Sequence, residues 1–121
     1  MSTNNHFTVE VMELLDEWNA DFQKMVDGVM KKTAKEAVEQ LRQNSPKRTG
    51  DYAAGWKMKT NKKSMSYVVY NKDHYRLTHL LENGHVNRDG SRTPAQKHIK
   101  PVEEWSVREV ESGIEQGAKR I

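Results

Sequence analysis

Apolar residues recur at helical spacing from Thr8 to about Gln43. Leu15, Trp18, Phe22, Met25 and Val29 step by three and four, and Met30, Ala34, Ala37 or Val38, and Leu41 continue the stripe. The spacing predicts a helix of about 35 residues, roughly 50 Å long at 1.5 Å per residue. Thr8 suits its N-cap and the early acids Glu10, Glu13, Asp16 and Glu17 suit its positive end. Asn44-Ser45-Pro46 ends it, because proline disfavours helix in the residue before it. Such a rod is longer than a 121-residue globule is wide, so it either breaks, at Gly28, or projects into a neighbour.

After a turn at Ser45–Gly50 the period changes to two. Tyr52, Ala54, Trp56 and Met58 alternate as one face of a strand, Asn61 to Ser64 reads as a polar turn, and Met65 to Tyr70 is rich in β-branched and aromatic residues. The pair predicts a β-hairpin. His74 to Glu82 holds Tyr75, Leu77, Leu80 and Leu81 and predicts a short helix stopped by Asn83-Gly84. Residues 85–97 form a polar, turn-rich loop, expected to be mobile until a partner docks. A final helix starts after Pro101, with Val102, Trp105, Val110, Ile114 and Ala118 on its apolar side. The chain length and the order of elements predict one domain spanning residues 1–121, with a helix at each end and a β-hairpin between them.

Composition makes that domain a marginal one. Leu, Ile, Val and Phe number 22, about 18 % of the chain, supplemented by three Trp, four Tyr and six Met. A core this thin is a candidate for completion by other subunits. No cysteine is present, which excludes disulfides, thiolate metal sites and a Cys nucleophile. No apolar run approaches the ~20 residues of a membrane span, and Met1 to His6 has neither the basic start nor the apolar stretch of a signal peptide. A soluble product, intracellular when made and without a membrane partner, is expected.

Charge is uneven along the chain. Residues 1–41 carry eight acids against four bases, residues 42–101 four against thirteen, and residues 102–121 five against three. A basic middle between acidic ends favours self-association. Arg42, Lys47, Arg48, Lys57, Lys59, Lys62 and Lys63 gather around the hairpin with Tyr52 and Trp56 interleaved, so a second reading is a nucleic-acid-binding module using residues 42–63. Lysines on a sheet edge also deter aggregation, which favours the solvated or protein-facing reading.

Catalytic chemistry finds no foothold. His6, His74, His79, His85 and His98 lack metal-ligand spacing: His74 and His79 are five apart, with no acid at a supporting interval. There is no nucleophile elbow and no phosphate-binding glycine loop, and the acids are explained by solvated helix faces. Neither enzymatic activity, a metal nor a cofactor is expected.

The order of short motifs carries more. A long amphipathic helix leads into Ser45-Pro46-Lys47-Arg48-Thr49-Gly50-Asp51-Tyr52, two strands end in Val69-Tyr70-Asn71, Tyr75-Arg76-Leu77-Thr78-His79-Leu80-Leu81-Glu82-Asn83-Gly84-His85 follows, and after a polar loop His98-Ile99-Lys100-Pro101 opens the last helix. This order resembles the small neck or tail-completion proteins of siphophages and related prophages, over about residues 8–120. Their usual pattern is a proline followed by Thr-Gly, strands, a Tyr-x-x-x-x-Glu-x-Gly-like element, and an aromatic or His residue near a proline. Val102 departs from the alanine often found after that proline.

The resemblance implies an α+β fold, with long N-terminal and C-terminal helices packed on a small antiparallel β-sheet, and a structural role with no catalysis and no cofactor. It further implies a ring of identical subunits in the virion, between the portal-side connector or head-closure protein and the tail terminator or tail tube. Trp18, Phe22, Met25 and Val29 are then expected at the contact between copies. Lys47, Arg48, Thr49, Gly50, His85, Arg88, Arg92 and His98 are expected to dock the neighbouring proteins. In such a ring the basic hairpin faces either an acidic partner or, passively, DNA in the channel.

Overall fold

A computed structural model describes residues 7–10, 20–47, 50–61 and 66–120. Two long helices and a three-stranded antiparallel sheet build the α+β fold. The elements are β1 (Phe7–Glu10), α1 (Ala20–Asn44), α2 (Asp51–Ala54), β2 (Trp56–Asn61), β3 (Ser66–Asn71), α3 (Tyr75–Asn83), β4 (His85–Val86), β5 (Arg92–Thr93) and α4 (Ile99–Ala118).

The first element corrects an expectation. Thr8 does not cap a helix; it lies in a strand, paired with Val68. Strand β3 has β2 on one side, and its other edge of N–H and C=O groups would be left open; Phe7–Glu10 fills it, with Phe7 opposite Val69 and Val9 opposite Tyr67. Helix α1 is described over 25 residues, Ala20–Asn44, roughly 37 Å of rod. It runs through Gly28 unbroken. Leu15 and Trp18 lie outside the described residues.

The hairpin is also shorter than its alternation suggests. Tyr52 and Ala54 belong to the single turn α2, which Gly50 opens from a left-handed conformation (φ 87°). Only Trp56 onward is strand, with Trp56 opposite Asn71 and Asn61 opposite Ser66. Residues 62–65 lie outside the described ones. On β2 the outward residues Lys57 and Lys59 are exposed, and the Lys59 ammonium lies 5.3 Å from the centre of the Tyr70 ring.

The core is built from α1 (Val26, Met30, Ala34, Ala37, Val38, Leu41), from Tyr52 and Trp56, from Tyr67 and Val69 of β3, and from Ile99 and Val102 of α4. Helices α1 and α4 run antiparallel and touch through glycines: a Cβ on Gly113 would lie 2.6 Å from Val29 Cγ1, and one on Gly117 would strike Met25 Sδ. Small residues at those positions let the two backbones approach.

The 85–97 segment, expected as a mobile loop, contains a hairpin. His85 pairs with Thr93 and Val86 with Arg92. Asn87 N–H donates to Ser91 O (2.7 Å), Gly90 takes the turn at φ 90°, and the Ser91 hydroxyl and N–H both donate to Asp89 Oδ1, holding that carboxyl below its ordinary value. Turn-forming side chains supply the order that an apolar core does not.

Candidate functional site

The short motifs that are far apart in the chain converge on one buried polar and aromatic cluster. Its anchor is Trp56, fully enclosed, whose indole N–H donates to Ser45 Oγ at 2.8 Å. That serine follows α1, and its own hydroxyl donates back to Leu41 O, so one side chain closes the helix and satisfies the indole. The Tyr52 and Trp56 rings meet edge to face at 5.8 Å, and His98 stands against both, at 5.5 and 6.4 Å.

His98 is 2 % exposed. Its Nδ1 lies 2.7 Å from Gln96 O and 3.1 Å from Glu82 Oε1, and its Nε2 lies 2.7 Å from the Tyr52 hydroxyl. A carbonyl only accepts, so Nδ1 carries a proton, and Nε2 shares a hydrogen bond with the Tyr52 hydroxyl. Burial, and then the charge of Glu82, push the Tyr52 phenol far above its ordinary value, so it keeps its proton.

Glu82 is the second anchor. A helix leaves its first four N–H groups without intrahelical partners. At the start of α4 those four positions are His98, Ile99, Lys100 and Pro101. Glu82 Oε1 accepts from His98 (2.8 Å) and Ile99 (2.9 Å), Oε2 accepts from Lys100 (2.9 Å), and the fourth residue, proline, has no N–H. One carboxylate and one proline thus complete the helix terminus. Burial alone would raise the Glu82 pKa; the backbone donors of Ile99, His98 and Lys100 and the nearby imidazole outweigh it and hold the group below its ordinary value.

Two glycines let the chain close around this cluster. Gly84, two residues after Glu82, has φ 77°, and a Cβ there would lie 2.6 Å from Thr93 O. Gly55 passes Asn71 so closely that a Cβ would lie 2.6 Å from its Oδ1. Asn71, 1 % exposed, donates to Tyr52 O (2.8 Å) and accepts from His74 N–H (2.9 Å), tying β3 to α2 and to the entrance of α3.

The residues expected to act on partners are distributed otherwise. His98 is corrected: enclosed by Tyr52, Trp56 and Glu82, it positions α4 and presents nothing outward. Met25 and Val29 are half-buried against Gly117 and Gly113 of the same chain, so α4 covers part of the stripe assigned to a neighbouring copy; Phe22 is half-buried beside the core. Trp18, Arg48 and Thr49 lie outside the described residues. Lys47 is exposed, its ammonium donating to Gln43 O, and Gly50 opens α2. His85 is half-buried in β4, whereas Arg88 and Arg92 are exposed on the hairpin. Tyr52 and Trp56 are buried, which removes them as stacking platforms for bases, and Arg42 is turned inward to Trp56 O at 2.9 Å.

The outer surface carries three features. Leu77 and Leu80, one turn apart on α3, are 41 % and 37 % exposed, with Val86 63 % exposed in the adjoining hairpin. Helix α1 presents exposed Lys24, Lys31, Lys32 and Lys35, and helix α4 exposed Glu104, Glu111 and Glu115. Among the described residues no group of three or more His, Cys, Asp or Glu is arranged to hold a metal ion, and no helix is long and apolar enough to cross a membrane.

The roles of Glu82, Asn71 and Ser45 were not legible from local spacing. Only the order of motifs singled out their neighbourhoods. No curated protein and no solved structure matches the chain. The family model described as "Bacteriophage HK97-gp10, putative tail-component" matches residues 10–84, from the end of β1 through Gly84, which is more than half of the sequence. The chain, with long helices on a small sheet and its motifs spent on one structural cluster, belongs to this HK97-gp10-like family of phage tail components.

Proposed function

We propose that the protein is a single-domain, non-catalytic building block of the phage head–tail junction, a neck or tail-completion subunit that forms a ring of identical copies. The ring docks the connector or head-closure protein on one side and the tail terminator or tail tube on the other, and it resides in the virion after assembly in the host cytoplasm. One observation carries the reading beyond family membership: the apolar side of α3, where Leu77 and Leu80 stand in solvent, as does Val86 soon after the helix in the chain. Isolated exposed apolar residues are ordinary, but adjacent ones on a short helix in a chain with so few aliphatics mark a surface for protein contact. The exposed Arg88 and Arg92 on the adjoining hairpin supply a charged rim.

The test is light scattering on the purified chain across concentration, followed by electron microscopy, alone and with the connector and tail proteins. Higher-order rings, or co-assembly with those proteins, are the expected result. A monomer that persists at high concentration with every partner present would overturn the reading. Leu77→Asp with Leu80→Asp should leave the fold intact and abolish docking.

A further inference from the structure

We propose that neighbouring copies join through oppositely charged helix faces, the lysine face of α1 in one copy seating the glutamate face of α4 in the next. This rests on the ring reading above and assigns it a contact.

Lys24, Lys31 and Lys35 recur at i, i+7 and i+11, which places them on one side of α1, away from the buried Val26, Met30 and Ala37. Glu104, Glu111 and Glu115 recur at the same intervals on α4. They lie on the side opposite Gly113 and Gly117, the glycines that rest against α1. Within one chain the glutamate face therefore points away from α1, and the lysine face points to solvent rather than to α4. Neither can meet the other inside the subunit. Between subunits they can.

Shape agrees with charge. At i+4 in the lysine series stands Gly28, and a Cβ there would meet nothing within 4 Å. Around it lies a hollow of about 450 Å³ lined by Gly28, Lys31, Lys32, Lys35 and Glu36. A flat lysine row would hold another helix at side-chain length; a glycine in its centre lets one approach. The matched intervals give Lys24–Glu104, Lys31–Glu111 and Lys35–Glu115 when the helices run parallel, and Lys24–Glu115 with Lys35–Glu104 when they run antiparallel. Because the two faces are different surfaces of one molecule, the contact is head to tail, the kind that closes into a ring when the rotation permits. Complementary charge sets partner and register more than it sets raw affinity, so the apolar surfaces remain necessary.

Charge reversal tests this directly. The triple variant Lys24→Glu, Lys31→Glu, Lys35→Glu and the triple variant Glu104→Lys, Glu111→Lys, Glu115→Lys should each fail to assemble, while an equimolar mixture of the two, or one chain carrying all six changes, should regain the wild-type oligomer. Wild-type association should weaken on the order of tenfold between low and high salt, as screening of exposed charges requires. Circular dichroism and melting check folding, and neutral Gln substitutions at the same positions serve where a reversal disturbs it. Wild-type-sized rings from both single-face variants would overturn the contact and leave the ring reading standing. A wild type that never assembles would overturn both. Lysine variants that assemble normally but lose retention on DNA would overturn the contact by assigning that face to nucleic acid.

Discussion

Glu82 Oε1 lies 2.9 Å from the backbone nitrogen of Ile99, seventeen residues further along the chain. Through that contact and its two companions, the end of α3 holds the start of α4.

Removing the carboxylate leaves up to three donors unpaired at a largely enclosed terminus. Glu82→Ala should destabilise the fold by about 2–3 kcal/mol, the sum expected for a lost cap and charge-assisted hydrogen bonds. Glu82→Gln, which keeps an acceptor, should cost less. Urea denaturation at neutral pH measures both.

The same group gives an acid limb. Its folded pKa is depressed below the ordinary 4.5, so its contribution is present above that value and is lost as pH falls through the folded one. The wild type should therefore lose stability on acidification below about pH 4.5 more steeply than Glu82→Gln.

Tyrosines give the alkaline limb. Burial first, then the hydrogen bond and charge of Asp27 (2.6 Å), push the Tyr67 phenol from 10.0 up to about 12. The folded state holds that proton more tightly than the unfolded one, so its stabilisation is complete below pH 10 and drains away as pH rises toward 12. Tyr67→Phe should flatten the fall in stability over that window, measured by denaturant melts at pH 9 and pH 11.

Helical glycines should respond in opposite directions. Gly28→Ala has open space and should stabilise the monomer by about 0.5–1 kcal/mol through helix propensity. Gly113→Ala brings a methyl against Val29 and should destabilise despite the same propensity gain. Gly84→Ala combines a left-handed backbone with a clash against Thr93 O and should be the worst of the three. Thermal melts rank them.

With Tyr52 and Trp56 buried, DNA retention through the described part of the hairpin would rest on its exposed lysines, Lys57 and Lys59. Lys57→Gln with Lys59→Gln should reduce it uniformly across sequences and lower the salt slope by about two. Retention that survives high salt would revive the base-stacking reading.

The sequence by itself determined the features encoded within a few residues. The apolar stripe from Phe22 to Leu41 made α1 a helix, Pro46 bounded it, the β-branched run before Asn71 made a strand, and Gly84 stopped α3. These follow from backbone dihedrals and from neighbours at i+2 or i+4, which are written locally. Only the tertiary structure decided what filled the open edge of β3, what capped α4, and what covered Met25 and Val29. Each was settled by a hydrogen-bonding group or apolar face left unsatisfied in one element and answered by another far along the chain: Phe7–Glu10 for β3, Glu82 for α4, and Gly113 and Gly117 for α1. His98 was read from the sequence as outward for the same reason. Its polarity is local, whereas the Tyr52 and Glu82 partners that permit its burial are supplied only by folding.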